Sequence, residues 1–113
     1  MNVQVTVKNL DGIETNNIDD VKNKNDFYYK DSFDAYNHIL VEKDAVKIKR
    51  VSKEHSTFVC LNSDSGYINI ASKEGEFRID LKVVAFNIKD DIITIAYKLA
   101  EDTKEITIKY LGV

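Results

Sequence analysis

The chain has 113 residues, a formal net charge of −3 and a single cysteine. That length suits one domain, which would bury roughly 65% of its unfolded surface. No run approaches the ~18 apolar residues of a membrane helix. Acids and bases interleave, so no basic face exists for nucleic acid, and one cysteine makes neither an internal disulfide nor a Cys-rich metal site.

The dominant pattern is alternation with period two from end to end, the mark of half-buried antiparallel strands. Met1 to Val5 has no basic or apolar leader character and reads as the start of a strand. Val3, Val5 and Val7 give it one apolar face, and Asp11-Gly12 marks a turn. The stretch 16–38 is polar and breaks the alternation. Within it, Asp31 is a candidate cap for one helical turn carrying Phe33 and Tyr36 on one side.

Val46 and Ile48 alternate with lysines and lead to Arg50. Phe77, Ile79, Leu81 and Val83 form the clearest strand, followed by Ile93-Ile95-Tyr97-Leu99 and Ile106-Ile108-Tyr110. The links Lys43-Asp44, Lys73 to Gly75, Lys89 to Asp91 and Glu101 to Thr103 are hairpin-sized, so neighbours must be antiparallel. Pairing the N- and C-terminal strands would remove two sheet edges. The expectation is therefore an all-β single domain over 1–113, an antiparallel meander closed into a barrel of about eight to ten strands, with a two-sheet sandwich as the alternative.

Several segments together resemble the YwiB-like family of small bacterial proteins of unknown function. They are the strand leading into Asp11-Gly12, the aromatic Phe27-Tyr28-Tyr29, Val46-Lys47-Ile48-Lys49-Arg50, Tyr67 with Gly75-Glu76-Phe77, and the final pair Ile93 to Leu99 and Glu105 to Ile108. The chain departs from that pattern at Val51-Ser52-Lys53, where a glycine is expected, and at Asn69, where a threonine is expected. The resemblance implies a calycin, or lipocalin-like, β-barrel and brings no established activity.

Five residues are candidates for the barrel interior or rim. Arg50 falls in the apolar phase of its strand. A guanidinium there either pairs internally, sits wet at the rim, or meets an anionic ligand. Tyr97, Tyr67 and Tyr110 combine an apolar ring with a polar tip, which suits pocket lining and core packing alike. His38 shares a phase with Tyr36 and Leu40, while His55 lies in a loop-like segment; with no HxH or HExxH spacing, no metal is expected.

Val84 and Phe86 are apolar in the nominally outward phase of the long strand, as are Tyr28 and Phe58 in one register, and form a candidate interaction or homodimer surface. Cys60, inside Thr57 to Leu61, reads as a buried structural thiol. Asn62 to Gly66 lacks the closing glutamate of a calcium loop, which would fall at Lys73, and reads as a turn.

No catalytic motif, phosphate-cradling loop or cofactor signature is present, so a catalytic role is not expected. The leading expectation is a cytoplasmic barrel that binds a small, partly apolar molecule, with an anion within its range. A filled-barrel interaction or dimerisation domain is the alternative, and an unrecognised enzyme the third reading. Neither nucleic acid nor a membrane is expected as a partner.

Overall fold

A computed structural model describes residues 1–112 as ten antiparallel strands. They are β1 (Asn2–Asn9), β2 (Gly12–Ile18), β3 (Asp26–Lys30), β4 (Tyr36–Val41), β5 (Val46–Val51), β6 (His55–Leu61), β7 (Gly66–Ser72), β8 (Gly75–Ile88), β9 (Ile92–Leu99) and β10 (Asp102–Leu111). Their spatial order is β2-β1-β10-β9-β8-β7-β6-β5-β4-β3, which wraps into a nearly closed barrel. There is no helix among the described residues, and so none long and apolar enough to cross a membrane.

The terminal strands do pair, with Val5 opposite Ile108 and Val7 opposite Ile106. The edges are not abolished, however. They move to β2 and β3, consecutive strands that no ladder joins. The connector between them spans that gap, with Val21 buried and its N–H donating to Met1 O at 2.8 Å. Farther along it, Asn25 O accepts from Val41 N at 2.7 Å.

The core is the inner face of the alternating pattern. Phe27, Ile39, Ile48, Val59 and Ile68 form one row across β3 to β7, and Val41, Val46, Leu61, Gly66 and Leu81 form another across β4 to β8. Gly66 is required in its row: a Cβ there would run into Leu61 Cδ2, and Leu61 is fully buried. Val3, Val5, Ile93, Ile95, Ile106 and Ile108 fill the opposite wall.

Strand β8 holds the two walls together. Gly75 to Leu81 pairs with β7, and Lys82 to Ile88 pairs with β9. Within the second half a bulge leaves Val84 without a partner, since Val83 pairs Tyr97 and Ala85 pairs Ala96. One extra residue shifts the period by one. Phe86 therefore opposes Ile95 and packs against the core, while Val84 is 56% exposed. The expected outward pair is corrected accordingly: only Val84 faces solvent.

Two further expectations are revised. Asp31 closes a turn and caps no helix: its Oδ1 accepts from the backbone N–H of Phe33 (2.9 Å) and Ala35 (3.1 Å), and Phe33 and Tyr36 are both exposed. An aspartate side chain that takes N–H groups two and four residues on offers the backbone an alternative to helix. Cys60 is half-buried and faces outward, because its cross-strand partners Lys47 and Tyr67 lie on the outer face.

Candidate functional site

The hairpin turns β1–β2, β3–β4, β5–β6, β7–β8 and β9–β10 gather at one end of the barrel, and a cavity of about 680 Å³ opens there. Its floor is aliphatic, made by Ile39, Ile48, Val59, Ile68 and Ile106. Its mouth is polar, because each strand's apolar phase ends in a hydrophilic residue at this end: Glu14 on β2, Asn37 on β4, Arg50 on β5, Thr57 on β6 and Lys104 on β10.

Asp31 organises the mouth. Its side chain is 7% exposed, and Oδ2 accepts from Arg50 Nε and Asn37 Nδ2, both at 2.9 Å. Burial works to raise its carboxyl. The hydrogen bonds from Asn37, Arg50 and the Ala35 and Phe33 backbone outweigh that and hold it below the usual aspartate value. Asn37, buried, also donates to Ala35 O at 3.3 Å. Arg50 thus has an internal partner, and its guanidinium also lines the cavity.

Glu14 ties the turn after β3 to β2 across the unpaired seam. One oxygen accepts from Ser32 Oγ (2.7 Å), Ser32 N (3.0 Å) and Asn16 Nδ2 (3.2 Å). The Ser32 contacts hold its carboxyl below the usual glutamate value. Both acids contribute stability that is complete above their unfolded values of 3.8 and 4.5 and is lost as pH falls through their lower folded values. The urea midpoint should therefore stay level from neutral pH to about pH 5 and drop below about pH 4, less steeply in Asp31→Asn. A midpoint unchanged at about pH 3 would contradict this account of the mouth.

Lys104 stands apart from these pairs. Its cross-strand partner is Tyr97, it lines the cavity, and among the described residues its ammonium has no hydrogen bond or ion pair. Burial, and then the Arg50 charge, push it below the usual lysine value, against the pull of Asp102, Asp31 and Glu14. Tyr97 is only 4% exposed, yet among the described residues its hydroxyl has no partner and is not sealed off, so it borders the cavity. Burial pushes the Tyr97 hydroxyl up to about 12, keeping it protonated.

Of the five residues singled out from sequence, the fold brings Arg50 and Tyr97 to this cavity. Tyr110 is half-buried and borders a smaller depression at the opposite end, its hydroxyl donating to Lys24 O at 2.8 Å. Tyr67 and His38 are corrected to the outer face. Tyr67 lies beside Phe58 (6.2 Å between centroids) and under the Arg78 guanidinium at 3.9 Å. His38 stacks on exposed Tyr28 at 4.1 Å and hydrogen-bonds Asp26 Oδ1 at 2.5 Å. Among the described residues no group of three or more His, Cys, Asp or Glu gathers for a metal ion.

Lys104, Glu14 and Asn37 escaped the sequence reading, and Asp31 enters it only as a helix cap. For Lys104 a signal existed, since it shares the phase of Ile106 and Ile108. Glu14 and Asp31 lie in or beside the stretch where alternation fails.

No family model matches the chain, and no curated protein matches it. Among solved structures it is similar to the crystal structure of the YwiB protein from Bacillus subtilis. That similarity has 15% identity and a TM-score of 0.41, and it covers 99% of this chain and 89% of that one. The neighbour bears the name of the family that the sequence resembles. The strand pairing establishes the barrel independently of this likeness.

Proposed function

We propose that this barrel is a non-catalytic binding module for a small molecule with an apolar body and one anionic group. The observation that carries the reading is the unpaired Lys104 ammonium at the mouth of an aliphatic cavity. The nearby acids do not compete for it: Asp31 and Glu14 are committed to other donors, and Asp102 Oδ1 accepts from Leu10 N at 3.3 Å. An incoming carboxylate gains a charge-assisted contact in a partly desolvated site, while its chain covers Ile39, Ile48 and Ile68. The half-exposed free thiol of Cys60 fits a reducing, cytoplasmic setting.

The test uses octanoate as probe, followed by calorimetry, beside native mass spectrometry of freshly purified protein and a denatured control. Octanoate should bind, and Lys104→Met should weaken it by about 10-fold or more, the cost of one charged hydrogen bond. Octanol, without the charge, should bind less well. Equal affinity of the wild type and Lys104→Met would overturn the anionic part of the reading.

A homodimer is the second reading. Leu10, Ile13, Phe33 and Phe77 are all exposed on strands and turns at the cavity end. A bare native mass at twice the chain mass would favour it.

A further inference from the structure

A lysine lining an apolar cavity needs a reason to be there, since burying an ammonium without a partner is costly. Three features of Lys104 go beyond salt-bridging an anion. Among the described residues its amine has no hydrogen bond or ion pair, so no such contact must be displaced before it reacts. A second cation, Arg50, lines the same cavity, and its charge opposes the pull of Asp102, Asp31 and Glu14 on the Lys104 proton. The third is Tyr97, directly opposite on the neighbouring strand, whose hydroxyl has no partner among the described residues and borders the same cavity although the residue is 4% exposed. An amine, a nearby guanidinium and a protonated phenol around an apolar space make up a carbonyl-capturing set.

We propose that Lys104 forms a reversible imine with a 2-oxo acid held in this cavity. The carboxylate faces the Arg50 guanidinium, and the apolar body lies on Ile39, Ile48 and Ile68. The inference rests on the binding reading above and narrows its ligand to acids that carry a carbonyl beside the carboxylate.

The step balances without a further reactant. The neutral Nζ of Lys104 attacks the carbonyl carbon, a C–N bond forms, and the carbonyl electron pair moves to oxygen. That oxygen takes a proton from the Tyr97 hydroxyl, and the nitrogen of the adduct returns one proton to the Tyr97 phenolate, giving a neutral carbinolamine. The last N–H proton passes to the carbinolamine hydroxyl, which departs as water and leaves the C=N bond. Hydrolysis reverses the sequence, so the site captures and releases its ligand unchanged. The depressed proton affinity of Lys104, caused by burial and Arg50, enlarges the neutral fraction that this attack requires.

The probe is 2-oxooctanoate with cyanoborohydride, which converts an imine to a stable secondary amine, followed by peptide mapping. Octanoate binding is measured on the same wild-type sample. The expected result is a mass gain of one oxo acid less one oxygen, on Lys104, about 10-fold or more faster than on the exposed lysines. Excess octanoate should suppress it, and Lys104→Arg, a cation that cannot form the imine, should lose it.

Octanoate binding without preferential trapping at Lys104 overturns the imine and leaves the cavity reading standing. Failure of octanoate to bind, with no trapping, brings down both. An adduct that excess octanoate does not suppress, or that persists in Lys104→Arg, is surface labelling and also overturns the inference.

Discussion

Asp31→Ala should destabilise the protein by about 3 kcal/mol or more, read as a urea midpoint shift or a fall in Tm of roughly 10–15 °C. The carboxylate is the common acceptor for four donors: Arg50 Nε, Asn37 Nδ2 and the backbone N–H groups of Phe33 and Ala35. Deleting it leaves a half-buried guanidinium without its partner, takes the shorter of its two bonds from the buried Asn37 amide, and removes two of the bonds that close the β3–β4 turn. A donor left without its acceptor costs more than the same bond contributes on average.

The reverse deletion is milder. Arg50→Ala leaves Asp31 with three of its four donors, so it should cost less than Asp31→Ala. The double variant should cost less than the two singles added, because they remove a shared contact. A loss under about 1 kcal/mol for Asp31→Ala would show that the mouth is held by the apolar floor alone.

Phe86→Ala should cost about 2–3 kcal/mol, while Val84→Ala stays within about 0.5 kcal/mol. Two residues of one strand at even spacing would ordinarily share a face. Here the unpaired Val84 separates them: Phe86 packs against the core opposite Ile95, and Val84 points to solvent. Equal effects in thermal unfolding would mean that the bulge is absent and that the period runs through β8 unbroken.

That pair also shows where the sequence is legible and where it is not. Strands with isolated apolar residues at every second position, such as Val3-Val5-Val7 and Ile106-Ile108, disclose their inner face, and the barrel follows from them. A bulge leaves no compositional trace in Lys82-Val83-Val84-Ala85-Phe86, so the phase beyond it cannot be carried over. Ile39-Leu40-Val41 and Tyr67-Ile68 are apolar at consecutive positions and fit either face. A one-residue choice there sent His38 and Tyr67 inward when the fold places them outside.

The site was half legible for a related reason. Arg50 and Tyr97 were found because they continue an apolar phase, and Lys104 continues one equally well. A lysine at a strand end ordinarily counts as surface, and only the cavity distinguishes this one. Asp31 reads as a helix cap because its side chain itself makes the geometry of the turn it closes.

The strand order has a consequence for how the chain reaches this state. Every ladder but one joins strands consecutive in sequence, and the exception, β1 with β10, joins opposite ends of the chain. The hairpins close short loops and form on the microsecond scale, but the β1–β10 contact must close a loop of nearly the whole length. Folding is thereby divided into local zipping of β3 to β10 and the arrival of the β1–β2 hairpin, which brings Val3 and Val5 against Ile108. Before that arrival Ile106 and Ile108 face water, so the same docking event sets the folding rate and the time for which the partly formed barrel can aggregate.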